Sequence, residues 1–162
     1  LLSDRVYKND GKGWFQRDVD VVPNLWRSGS CVTAADFDRD GDIDLFVGSR
    51  VRPGRFPEAH PSTLLRNDDG KLVEVTDELL PELSVGMVTA AHWADLDGDD
   101  FPELIIAAHW QPVRVFGNRG GVGFEDITAF EYSVAGPNSP EADRIRHGLD
   151  ALVGGAYEGS RR

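Results

Sequence analysis

The chain has little with which to cross-link itself or enter a bilayer. Cys31 is its one cysteine and Met87 its one methionine in 162 residues. No disulfide can form within it, and that count is compatible with any redox compartment. No stretch approaches the roughly 18 consecutive apolar residues that a membrane-spanning helix needs, and the sequence opens on Leu1 without a basic-then-apolar leader. Neither membrane insertion nor a readable address is expected. Base is scarce as well, with 17 Lys and Arg against 28 Asp and Glu, a formal charge of −11. Nucleic-acid binding relies on clustered Lys and Arg that release counterions, so DNA and RNA are poor partners for this chain.

Motifs of catalysis are missing too. His60, His92, His109 and His147 have neither H-E-x-x-H spacing nor a paired cysteine. Ser28-Gly29-Ser30-Cys31 offers nucleophile types without a G-x-S-x-G elbow or a recognisable base. Gly117 to Gly123 is glycine-rich but runs from hairpin to strand and lacks the Lys of a phosphate loop. No catalytic residue is assigned, and the chain is expected not to be an enzyme.

What is present is a 40% hydrophobic fraction, sufficient for a packed core, and a peculiar placing of the acid. Ten of the 28 acidic residues fall in two nine-residue windows, Asp36 to Asp44 (DFDRDGDID) and Asp95 to Glu103 (DLDGDDFPE), leaving 18 acids against 17 bases elsewhere. Carboxylates packed this densely repel by roughly a kcal/mol per contact even at high effective dielectric, so their folded arrangement calls for a cation. Acids at loop positions 1, 3 and 5 turn inward on a tight loop, a main-chain carbonyl at position 7 joins them, and an acid at position 9 closes the shell. An all-oxygen set of about six ligands suits Ca2+, which accepts irregular geometry that magnesium resists. Two Ca2+ sites are therefore predicted. The first has Asp36, Asp38, Asp40 and Asp44 with the carbonyl of Asp42, and Gly41 makes the sharp turn. The second has Asp95, Asp97, Asp99 and Glu103 with the carbonyl of Phe101, and Asp100 stands at the turn, a residue that tolerates left-handed backbone better than most. The two sites are expected to act independently.

The EF-hand shares the D-x-D-x-D-G start but needs a bidentate Glu at position 12 and flanking helices. Position 12 here is Val47 or Ile106. Short apolar runs flank each loop, Val32 to Ala35 and Leu45 to Val47, then Ala91 to Ala94 and Leu104 to Ala108, and these predict β-strands on both sides. Beyond each loop a strand ends in Asn before a Gly-containing turn: Asn67-Asp68-Asp69-Gly70, and Asn118-Arg119-Gly120. Asn9-Asp10-Gly11 is a third copy. Such residues supply the positive φ of a tight hairpin, and the strand is expected to resume six residues after each Asn, at Phe15, Val73 and Phe124. The Asn positions lie 58 and 51 residues apart and the loop starts 59 apart, a period expected of propeller blades or solenoids, with the longer first unit explained by an insertion near Arg50 to Pro61. Four antiparallel strands per unit make one propeller blade.

At this point residues 1 to 130 resemble the FG-GAP or VCBS repeats of integrin-α-like β-propellers, which carry the D-x-D-x-D-G loop and an L-x-x-N-x-G hairpin. Phe46 to Pro57, Leu64-Leu65-Arg66-Asn67 and Gly86-Met87-Val88-Thr89 are similar to a narrower group, the extracellular VCBS proteins related to ASPIC/UnbV and cartilage acidic protein. The resemblance implies a calcium-binding repeat of a secreted, periplasmic or cell-surface protein. It would act as a scaffold for adhesion or for recognition of a protein or glycan ligand, within a chain longer than this one. The alternative it allows is the non-catalytic part of an extracellular enzyme acting on polysaccharides.

The expected fold class is thus all-β, two to three four-stranded blades of a partial β-propeller with a short C-terminal helix. Residues 1–28 would end a preceding blade, 29–80 and 81–130 would each form a blade around a calcium loop, and 131–162 would lie outside the repeat. Ser139-Pro140-Glu141 is a helix start, which predicts a helix over 140–153. A partial ring leaves strand edges to be covered by remaining blades or another copy. Arg50, Arg52 and Arg55 in the insertion form a candidate group for an acidic glycan or carboxylate.

Overall fold

The structure, a computed structural model, describes residues 3–81 and 83–128; the helix expected over 140–153 lies outside the described residues. The described fold is all-β, in three antiparallel sheets. β1 (Val6–Asn9) and β2 (Phe15–Asp18) form a hairpin. β3 (Gly29–Ala35), β4 (Asp44–Ser49), β5 (Thr63–Asp68) and β6 (Lys71–Glu74) form a four-stranded meander, and β7 (Val88–Ala94), β8 (Glu103–Ala108), β9 (Arg114–Asn118) and β10 (Phe124–Asp126) form another.

The two meanders share one register at an offset of 59 residues. Ala35 pairs with Asp44 and Ala94 with Glu103; a bulge lies between Gly29 and Cys31 in β3 and between Val88 and Ala90 in β7. The next ladder repeats as well, with Leu45 opposite Leu65 and Leu104 opposite Phe116. β4 and β8 are the apolar runs after the acidic loops. As inner strands of their sheets they have four of six residues buried and none exposed, which suits a near-continuous apolar run.

The hairpins differ by one residue. Asn9 pairs with Phe15 and Asn118 with Phe124, six residues on, but Asn67 pairs with Leu72, five on. The expected Val73 falls opposite Arg66, because Asp69 and Gly70, with φ of 53° and 87°, close a two-residue turn.

The sheets pack face to face, β3 and β4 against β7. Phe37, Phe46, Leu64, Val88, Leu104, Ile106 and Phe116 are wholly buried between them. Phe37 stacks on Trp93 with ring centroids 6.0 Å apart and meets Phe124 edge-on at 5.5 Å. Gly48 marks a tight approach: a Cβ there would lie 2.7 Å from both Cys31 Sγ and Val88 Cγ1. Cys31 is thus a packing residue. The one helix described, α1 (Thr76–Leu79), is a single turn that buries Thr76 and Leu79. Its Thr76 Oγ1 accepts the Leu64 N–H at 2.9 Å.

Candidate metal centre

The β3–β4 and β7–β8 connections are the two acidic windows, and both fold the same way. Carboxylate oxygens of Asp36, Asp38 and Asp40 lie within 4.8 Å of one another, as do those of Asp95, Asp97 and Asp99. Each triad is held by N–H groups of its own loop. Asp36 Oδ2 accepts from Gly41 N at 3.1 Å and Asp95 Oδ2 from Asp100 N at 3.2 Å. Asp38 accepts from Asp40 N, Asp40 from Asp42 N, Asp97 from Asp99 N and Asp99 from Phe101 N, at 2.8 to 3.3 Å. Backbone donors thus preset the carboxylates before any ion arrives.

Left-handed backbone recurs at loop positions 4 and 6. Gly41 has φ 99° and Asp100 φ 73°, as expected of the turn position. Position 4 was not anticipated: it holds Arg39 at φ 62° and Gly98 at φ 85°.

The predicted ligands at positions 7 and 9 have these surroundings. Asp44 and Glu103, at position 9, are buried and stand outside the triads. Asp44 accepts Phe37 N at 2.9 Å and Asn67 N at 2.8 Å, one on each oxygen. Glu103 does the same with Leu96 N at 2.7 Å and Asn118 N at 3.5 Å. Burial pushes Asp44 up to about 6 against the opposing pull of those two N–H bonds, and the charges of Asp38 and Asp40 add to the rise. Glu103 is pushed up to about 7, again mainly by burial, with Asp97 and Asp99 adding. The Asp42 side chain turns to Asp69 N at 3.1 Å. Phe101 lies under Arg39, whose guanidinium carbon is 5.7 Å from its ring centroid.

The donor set tests well for a hard cation. Among the described residues no Lys or Arg forms an ion pair with either triad; Arg39 pairs with Asp100 and Arg66 with Asp68. Asp36 Oδ1 is buried and has no hydrogen-bond partner. Its counterpart, Asp95 Oδ1, accepts Gly98 N at 2.7 Å. Partial burial raises Asp38, with the repulsion of Asp40 and Asp36 adding to it. A lone pair left without a partner in a cluster of like charges is where a cation is most strongly attracted. Two acidic triads that can hold a metal ion are thus in place.

Sequence reasoning did not find the role of the Asn side chains. Asn67 Nδ2 donates to Ile43 O at 3.2 Å, and Asn118 Nδ2 to Pro102 O at 3.2 Å and Phe37 O at 2.9 Å. The Ile43 and Pro102 carbonyls tie each loop to its own hairpin, whereas the Phe37 carbonyl belongs to the other loop. The signal was present in the equal spacing of Asn from the turn Gly, since Asn67 Oδ1 accepts Gly70 N and Asn118 Oδ1 accepts Gly121 N, both at 2.8 Å.

Elsewhere, Arg52 and Arg55 both pair with Glu58, so the arginine group of the insertion is partly neutralised within itself. At the end of the sheets away from the acidic loops, Phe56 and Trp110 are 70% and 74% exposed and meet edge-on at 5.9 Å. No described helix is long and apolar enough to cross a membrane. Comparison with family models, with curated proteins and with solved structures returned no match.

Proposed function

We propose that the chain is a calcium-binding segment of an FG-GAP or VCBS type β-propeller from a secreted, periplasmic or cell-surface protein, a non-catalytic scaffold that displays loops to a protein or glycan ligand. The observation that carries the reading is the repetition of one acidic loop, at one register, in two sheets 59 residues apart. Each meander corresponds to a blade, and the β1–β2 hairpin, with Asn9 opposite Phe15 as Asn118 is opposite Phe124, to the outer half of a preceding one. The remaining blades belong to a longer chain.

The ion would sit among Asp36, Asp38 and Asp40, and among Asp95, Asp97 and Asp99. Bound there, it neutralises the carboxylates and fixes the strand-to-strand turn; the protein's own residues supply oxygen donors preset by backbone N–H groups. Asp44 and Glu103 serve as anchors for the loop base through those bonds, and the main-chain carbonyls of Asp42 and Phe101 complete the expected shells. Triads that are partly buried in the first loop and exposed in the second suit the weak affinities, roughly 10⁻⁴ to 10⁻³ M, of extracellular calcium modules. The exposed Phe56–Trp110 pair supports a ligand surface at the opposite end of the sheets, since exposed aromatic patches mark interaction sites.

The test is thermal melting in EDTA, then with rising calcium or magnesium. A ligand at about 100 times its dissociation constant adds roughly 2.7 kcal/mol to a fold that alone binds it. A calcium-selective rise in Tm is expected; an unchanged Tm together with no heat in calorimetric titration overturns the reading.

A further inference from the structure

The first acidic loop touches the second meander in three places, two on the β9–β10 hairpin and one on the second acidic loop. Asn118, in the second meander, donates from Nδ2 to Phe37 O in the first loop at 2.9 Å while also donating to Pro102 O in its own loop. Gly121 lies against the first loop so closely that a Cβ there would be 2.7 Å from Asp38 Cα. Arg39 Nη1 lies 3.0 Å from Asp100 Oδ2 and donates to Asp100 O at 3.3 Å.

The Asn118 contact is the informative one, because its repeat-mate sets the baseline. Asn67 reaches the position-8 carbonyl of its own loop, and its N–H goes to the position-9 acid; Asn118 does both and then crosses to the other loop. The carbonyl it takes there belongs to Phe37, the residue between two members of the first triad, whose ring is locked in the core. The peptide that spaces Asp36 from Asp38 is therefore fixed by a side chain whose main-chain N–H is bound by Glu103 at the base of the second loop.

We propose that Asn118 is a positioning residue shared by the two metal loops, so that an ion in either raises the affinity of the other. This rests on the calcium reading above. An ion that orders the second loop fixes Pro102, Glu103 and Asn118, and the first loop then has less freedom to lose when it closes on its own ion. By linkage the effect is reciprocal and equal in the two directions. Arg39–Asp100 is a second, exposed link in the same direction. The expected independence of the two sites is replaced by coupling.

Calorimetric titration of the whole chain with calcium tests this. Asp38→Asn and Asp97→Asn each leave one intact loop and give its intrinsic association constant. The product of the two association constants of the parent is expected to exceed the product of the single-site values by about fivefold, the low end of allosteric couplings. In the Asn118→Ala background the excess is expected to vanish while two ions still bind. Arg39→Gly, which keeps a residue suited to φ 62°, is expected to reduce the excess and guards against misfolding of the Asn118 variant. Equal products in the parent series overturn the coupling alone. An excess that survives in Asn118→Ala overturns the role of Asn118. No heat in the parent overturns the calcium reading and the coupling together.

Discussion

Arg39 and Asp100 hold each other across the two acidic loops, Nη1 to Oδ2 at 3.0 Å, and each stands in left-handed backbone where the other loop has glycine. Arg39 at φ 62° corresponds to Gly98, and Asp100 at φ 73° to Gly41. Each loop has two such positions and places its glycine at a different one. The residues that fill the others face one another. The pair is exposed, so its attraction is worth roughly 0.2 to 1 kcal/mol, against a left-handed penalty of about 1 kcal/mol for a residue with a Cβ.

That balance predicts an order of stabilities. Arg39→Ala keeps the strain and loses the pair, whereas Arg39→Gly loses both. Arg39→Gly is expected to be more stable than Arg39→Ala by about 1 kcal/mol, as a higher Tm in calcium-free buffer. Equal melting temperatures would show that the backbone at position 4 relaxes when the side chain is cut.

Gly48 carries a second prediction. Its added Cβ would fall 2.7 Å from Cys31 Sγ and Val88 Cγ1, in the seam where the meanders meet. Gly48→Ala is expected to destabilise by about 1 to 3 kcal/mol, the usual range for overpacking a core, and Val88→Ala in the same chain to restore part of that. A denaturant midpoint unchanged by Gly48→Ala would mean that the sheets separate freely.

A third concerns the anchor at position 9. Asp44 gives one oxygen to each of two N–H groups, Phe37 and Asn67. Asp44→Asn turns one acceptor into a donor that faces an N–H, leaving a buried group unpaired at about 1 to 3 kcal/mol. The melting temperature in EDTA is expected to fall accordingly, while Asp40→Asn, on the exposed rim of the triad, is expected to leave it unchanged or raised through lost repulsion. The opposite order would remove Asp44 from its anchoring role.

Much of this arrangement was legible in the sequence, and the remainder has identifiable reasons. Spacing of two in DFDRDGDID and DLDGDDFPE is a local property, so the triads and the left-handed Asp100 follow from short-range geometry. β4 and β8 were legible because an inner strand with no exposed position reads as a short apolar run. α1 was not, since four residues show no helical period. The pairs of N–H groups that Asp44 and Glu103 accept were not either, because spacing places an acid at position 9 without showing which main-chain groups of the hairpin reach it. Asn118 to Phe37 and Arg39 to Asp100 span 81 and 61 residues and depend on how the sheets pack.

The position-9 acids also make the metal-free protein sensitive to pH in an unusual direction. Burial raises Asp44 to about 6 and Glu103 to about 7, whereas in the unfolded chain they titrate near 4. Between those limits the folded state holds protons that the unfolded state has released, so stability is greatest below about pH 4 for these groups and falls as pH rises through 6 to 7. The loss is on the order of 3 to 4 kcal/mol per group, opposite in sign to that of a salt-bridged carboxylate. In EDTA, Tm is expected to decline from pH 5 to pH 8, and Glu103→Gln to flatten the upper part of the decline. On the proposed calcium reading, added calcium is expected to reverse the trend, since a bound ion favours ionised acids around it and binds more tightly as they lose protons. A metal-free Tm that rises steadily from pH 5 to pH 8 would show that the N–H bonds to Asp44 and Glu103 outweigh their burial and keep both ionised throughout.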